Sequence, residues 1–272
     1  MIIQLLNGTQ LDIVDYGLTR LFHRISALEL EDYPETLEGK DGDVDVIGDG
    51  ARYVGRNISV DFVYEVADIY DFYILRDKIN ALFSIRQPFY IIFKREPYKR
   101  WKVRRLSSFT LEPNPKAETF TVEFKCVNIY AESLVYSSAI KSWDIDRWGW
   151  DGTIDWDTDL NYSFSTNQFI VKNLGNVKID PREHPITIYI SAQANSYLRI
   201  TNRTTGDVYQ INAPLSQGDN LVLSRVSTLL NSVSSFARTN HQLITLAPGD
   251  NDFLVAGGTI YGIHFDFKFL FK

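Results

Sequence analysis

The stretch WDIDRWGWDGTIDW, Trp143 to Trp156, sets four of the chain's five tryptophans among carboxylates and glycines. Aromatic rings beside carboxylates serve three purposes: a platform for sugars, a stacking surface for nucleic-acid bases, or a joint between folded units. A fully buried tryptophan removes roughly 150 to 250 Å² from water. Trp143, Trp148, Trp150 and Trp156 can therefore pin a connection between domains, where a mobile linker would be rich in Gly and Ser. The structural joint is the preferred reading, with the sugar platform as its competitor.

Other chemistry-bearing groups do not converge in the sequence. DGDVDVIGDGAR puts Asp41, Asp43 and Asp45 at the first, third and fifth places of a calcium loop. The sixth place then needs a turn glycine and holds Val46, and the twelfth needs a bidentate Glu and holds Arg52. His23, His184, His241 and His264 are scattered without a second ligand at metal spacing. Cys126 alternates with Phe120, Val122 and Phe124, which reads as an inert thiol on the buried face of a strand. Nucleophile elbows, zincin helices and phosphate loops are missing. The expectation is a protein without catalytic residues, metal or cofactor.

Charge points instead to a protein surface. KREPYKRWKVRR, Lys94 to Arg105, sets seven cations against Glu96 alone, while upstream Glu31 to Asp49 sets eight carboxylates against Lys40 alone. Complementary segments of one chain can join copies head to tail, and such a contact closes into a ring where the rotation permits. Two unrelated solvated faces are the plainer alternative. Bases stacking on Tyr98 and Trp101 are a further one, disfavoured by a net charge of −6, because affinity for nucleic acid comes mainly from cations on phosphates.

The elements that must carry these residues are mostly strands. Ile58, Val60, Phe62 and Tyr64 share one face of a period-2 segment, Thr119 to Val127 repeats the pattern, and Ile263 to Phe271 alternates aromatic and polar residues. Turns at Glu96-Pro97 and Pro113-Asn114-Pro115 divide Pro88 to Asn128 into a three-stranded meander. Asp68 to Ser84 breaks the pattern: Phe72, Leu75, Ile79, Leu82 and Phe83 form a helical stripe behind an Asp68 N-cap. Later apolar runs, Phe169 to Lys172, Ile186 to Ser191, Tyr197 to Thr201, Val208 to Ile211, Leu221 to Ser224 and Leu243 to Leu246, suit a β-sandwich. With 272 residues, two domains are expected. The N-terminus lacks a signal-peptide pattern, and no apolar run reaches the ~18 residues of a membrane span.

Taken in order, several segments resemble the distal tail protein family of siphophages. They are the glycine-flanked Gly39-Lys40-Asp41-Gly42, Arg56 to Val60, LRDKINALF, PFYIIF, KRWKVR and FTVEFKCVNIYAES, then FIVKNLGNVKIDP, ITNRTTGD, LITLAPGDNDFLV and FDFKFLFK. The resemblance implies a mainly β protein: an N-terminal antiparallel barrel- or sandwich-like domain with one helix over residues 1–138, a Trp-rich connector over 139–166, and a galectin-like sandwich over 167–272. It further implies a virion structural protein made in the bacterial cytoplasm. Six copies would form a ring at the tail tip, joining the tail tube protein to the tail-associated protein and carrying receptor-binding proteins, with no specific nucleic-acid or membrane binding. An extended arm would pack on the neighbouring subunit, so Gly39, Asp41, Gly42 and Asp43 are expected to meet Lys99, Arg100 and Trp101. A carbohydrate-binding adhesion module remains the alternative, and a glycan-cleaving enzyme a third.

The tryptophan joint gives a direct expectation. Replacing Trp148 and Trp150 with Ala should lower the melting temperature or let proteolysis separate the domains, with sugar binding unchanged. Saturable sugar binding that disappears in the double variant would reverse the ranking.

Overall fold

The computed structural model describes residues 1–31, 52–113, 117–139 and 160–272. Gly39, Asp41, Gly42 and Asp43 of the arm and all four clustered tryptophans lie outside the described residues. The chain divides into two compact units, Met1–Arg95 with Arg100–Ala131, and Glu96–Lys99 with Glu132–Lys272.

The strands and α-helix described before residue 127 are β1 (Ile2–Gln4), β2 (Gln10–Asp12), β3 (Leu18–Ile25), β4 (Glu29–Glu31), β5 (Arg52–Gly55), β6 (Asn57–Glu65), α1 (Ile69–Phe83), β7 (Phe89–Ile92), β8 (Lys99–Arg105) and β9 (Ala117–Cys126). In the first unit an antiparallel sheet runs in the order β2-β1-β7-β8-β9-β6-β3, and β4 pairs with β5 separately. The meander expected from the turn signals is β7-β8-β9. Alternation decides which face is sealed. Ile58, Val60, Phe62 and Tyr64 of β6 and Phe120, Val122, Phe124 and Cys126 of β9 are buried. Against them lie Phe72, Ile79, Leu82 and Phe83 of α1, with Phe83 5.5 Å from Phe62 and 6.1 Å from Phe124 between ring centroids.

The helix starts where the sequence places its cap. The Asp68 side chain accepts the backbone N–H of Tyr70 at 2.8 Å and of Asp71 at 2.9 Å, satisfying donors that an uncapped helix end leaves open. Gly17 turns the preceding 3-10 turn, Ile13–Tyr16, into β3 with φ of 71°. A Cβ there would come within 2.8 Å of a Leu75 methyl, so glycine is required both for the left-handed backbone and for the close approach of α1.

The second unit holds β10 (Ala131–Ser133, from Glu132 on), β11 (Ser163–Phe164), β12 (Gln168–Asn173), β13 (Ile186–Asn202), β14 (Asp207–Ile211), β15 (Leu221–Ser224), β16 (Ser227–Leu230), β17 (Val233–Ser234), β18 (Gly249–Phe267) and β19 (Leu270–Phe271). β13 and β18 are long partners that lose register between Ala194 and Arg199. One limb of the pair carries β11 and β15, the other β12 and β14. The limbs fold back on each other: Phe253 and Phe265, at opposite ends of β18, lie 5.2 Å apart, and Phe169 of β12 lies 6.0 Å from Phe265. A single apolar cluster results. The fold is therefore mainly antiparallel β, with one α-helix among the described residues, as the sequence indicates.

Two segments differ from their sequence-based reading. Ile186–Ser191 and Tyr197–Thr201 belong to one continuous β13, because the polar residues between them sit in the bend rather than in a turn. Leu243–Leu246 forms only an isolated bridge, in which Leu246 and Ile179 exchange backbone hydrogen bonds. The adjacent Thr245 N–H goes to the Asp207 carboxylate at 2.8 Å, so a side chain takes the place of a ladder. The C-terminal strand, whose domain the sequence leaves open, lies in the second unit.

Cys126 is 4 % exposed, and burial pushes its thiol up to about 11. Iodoacetamide at pH 8 should leave it unmodified in the native protein and modify it fully once guanidinium unfolds the chain. Because only the unfolded thiol ionises between its ordinary pKa and about 11, this group withdraws stability as pH rises through that window. Rapid native alkylation would show the thiol to be open.

Candidate assembly surface

The register that buries one face of the first unit fixes what the other face shows. Val103 lies opposite Cys126 with both side chains inward, so the next residues, Arg104 and Lys125, lie opposite each other and outward. Both are exposed. Like charges directly across an antiparallel pair destabilise it, and neither side chain makes an ion pair among the described residues. Along the same face of β8, the Arg100 guanidinium sits 3.9 Å over the Tyr90 ring and donates to Gln4 Oε1 at 2.8 Å, while Lys102 Nζ approaches the same ring from 5.9 Å. Arg100, Lys102, Arg104 and Lys125 thus form a continuous basic patch.

The anions of this face stand further along the sheet and are engaged. Asp61 accepts from Arg24 at 2.6 Å and from the Thr121 hydroxyl at 2.7 Å. Glu123 accepts from the Ser107 hydroxyl at 3.1 Å. Neither is on the register row of Arg104 and Lys125.

The three described residues of the expected contact take different positions. Lys99 is largely covered: its ammonium pairs with Glu96 at 2.6 Å and lies 5.5 Å over the Tyr98 ring. Arg100 belongs to the basic face. Trp101 points inward and is 3 % exposed, with the Arg56 guanidinium 5.3 Å from its ring. Its contribution to any contact is therefore support of the strand rather than surface. Lys102 and Arg104 belong to the basic run read from the sequence; Lys125 lies outside it, and only strand pairing, invisible in a linear run, brings it beside Arg104.

Groups able to do chemistry remain dispersed. His23 stacks on Phe93 with centroids 3.9 Å apart, and His241 lies 4.6 Å from Phe236. His184 is held below its usual pKa by burial, with Glu183 3.7 Å away. Ser163 Oγ lies 2.6 Å from His264 Nδ1, but among the described residues no carboxylate is hydrogen-bonded to that imidazole to orient it as a triad would. Among the described residues no group of three His, Cys, Asp or Glu side chains is placed to hold a metal ion, and no helix is long and apolar enough to cross a membrane.

Comparison with known proteins supplies the context. Residues 11–126 match the family model described as the phage tail protein RIFT-related domain. No curated protein matches the chain. Among solved structures, the Dit protein (gp 19.1) of phage SPP1, described as a paradigm of the hub adsorption apparatus in phages infecting Gram-positive hosts, superposes with a TM-score of 0.63 at 16 % identity, over 98 % of each chain. Two structures of the phage p2 baseplate in its activated conformation, with Sr and with Ca, align at 9 % identity with TM-scores of 0.39 and 0.40. The strontium form covers 98 % of this chain and 96 % of its own, the calcium form 99 % and 98 %. At those scores they carry no argument. Residues 11–126 thus match the phage tail RIFT-related domain, and the whole length shares the fold of the SPP1 Dit protein.

Proposed function

We propose that this chain is the ring-forming hub of a siphophage tail tip. Six copies close into a hexamer that joins the tail tube protein to the tail-associated protein and carries receptor-binding or other baseplate proteins. Residues 1–138 build the ring, 139–166 hold the outer part to it through the clustered tryptophans, and 167–272 project outward. The protein acts by geometry, without catalysis.

The observation that carries this reading is the Arg104–Lys125 pair. A folded sheet that sets two exposed cations directly opposite each other offers a favourable seat for carboxylates, and residues 31–49 of the same chain hold eight of them against one lysine. Satisfying the patch with the arm of a neighbouring copy makes a head-to-tail contact, and repetition of one such contact around an axis closes a ring. Gly39, Asp41, Gly42 and Asp43 are the proposed donors of this contact, and Arg100, Arg104 and Lys125 its receivers.

Light scattering of the purified full chain should give a mass near six times 31.3 kDa, falling as salt rises, because exposed charges are screened beyond about 8 Å at 0.15 M ionic strength. Lys125→Glu should turn the cross-strand repulsion into attraction. The isolated subunit is then expected to gain about 0.2–1 kcal/mol in chemical denaturation, while the hexamer is lost. Loss of the ring with a subunit at least as stable separates assembly from folding. A wild-type chain that stays monomeric at every salt concentration and is missing from antibody-labelled tail tips would end the proposal.

A further inference from the structure

The outer face of the second unit's sheet carries a trough that the hub reading leaves unused. Across β13 and β18, Tyr189 lies opposite His264 and Ser191 opposite Gly262. The register then shifts between Ser191 and Ala192, so Tyr261 and Gly262 both turn outward while Ile260 and Ile263, 2 % and 1 % exposed, stay in the core. The small residues Gly262 and Ser191 make a floor. Tyr189 and His264 wall it on one side, and Tyr261, whose hydroxyl donates to Gln193 Oε1 at 2.9 Å, on the other. Residues 189 and 193 are separated by roughly 13 Å of extended strand.

Its lining states what it can bind. Among the described residues no Asp, Glu, Lys or Arg lines it, so a charged ligand finds no counter-charge from them, and nucleic acid lacks the cations that supply most of its affinity. Its floor lies on β13 and β18, each paired on both sides, so an extended peptide cannot add to the sheet there through its backbone. Two tyrosine rings stand 43 % and 41 % exposed, and hydroxyl, amide and imidazole groups of Ser163, Asn220 and His264 rim them. Flat aromatic faces for C–H surfaces, with neutral hydrogen-bonding groups at the edge, match a pyranose ring. We propose that this trough binds neutral saccharide units of a surface glycan, and that Tyr189 and Tyr261 stack on them. The site lies within one subunit, so it stands or falls independently of the ring.

Affinity electrophoresis tests it, with the full chain run through native gels containing dextran, β-1,3-glucan, galactomannan or glycol chitin, and heparin as the anionic comparison. At least one neutral polymer should retard the protein saturably. Gly262→Leu places a side chain on the floor where a Cβ meets no atom within 4 Å; the melting temperature should hold and the apparent Kd rise about tenfold or more. Tyr261→Ala, which removes one wall without filling anything, should weaken binding comparably. Gly218→Ala, also in open space but outside the trough, should bind as wild type. Failure of every neutral polymer to retard the protein, retention of full binding by both trough variants, or stronger retardation by heparin than by all neutral polymers would overturn the assignment.

Discussion

The interior of a sheet dictates its exterior, and in the first unit this constraint is acute. Val103 and Cys126 must both face α1's side of the sheet to stay dry, which sets Arg104 against Lys125 with no freedom to avoid each other. Slipping β8 by one residue would relieve the repulsion, but it would also turn Trp101 and Val103 to water and drive arginines into the core. Burying one large apolar side chain is worth about 1.5–3 kcal/mol, against about 0.2–1 kcal/mol for a cross-strand charge pair. The core wins, and the charge conflict persists on the surface as an unmet demand for anions.

The same rule shapes the second unit. An uninterrupted alternation along β18 would place Tyr261 on the core side, where its hydroxyl would need a buried partner. The register shift beside Ser191 instead brings two consecutive residues to the outer face and opens a gap in the row of side chains at Gly262. Further along, the polar residues that do enter the interior are fully engaged. Asn251, 0 % exposed, accepts from Asn202 Nδ2 at 3.0 Å and from the Ala247 N–H at 2.8 Å, and donates to Ala247 O at 2.9 Å and Gly249 O at 3.1 Å. It ties the turn before β18 to β13, which steadies the end of the strand that later carries the trough.

Legibility in the sequence followed the range of the interaction. Period-2 burial in β6 and β9, the helical stripe of α1 and its Asp68 cap are set by neighbours within four residues, and each could be read directly. The unity of β13 could not, because Asn195 and Ser196 look like a turn until β18 bends alongside them. Nor could the Arg104–Lys125 pair, whose members stand in separate strands, or the Asp207–Thr245 hydrogen bonds that replace a ladder at Leu243–Leu246. Trp101 shows the converse: an aromatic within a basic run suggests a surface, yet its place two residues from Val103 on the same strand turns it inward. Composition marks the segment as basic, and strand pairing decides which of its residues reach the surface.

A surface conflict of this size is tolerable only because it is small beside the whole. Natural domains retain about 5–15 kcal/mol of net stability, so one repulsive cross-strand pair leaves the subunit folded. In a closed ring every copy would present the same patch, and each contact would set carboxylates against cations that otherwise face only water and each other. The new ion pairs would then outweigh a repulsion that the fold of one copy already tolerates. A subunit with a neutral patch would be somewhat more stable alone and would have less to gain from its neighbours. On the proposed assembly, cations retained on adjacent strands would cost the fold of one copy a little and serve the joining of several.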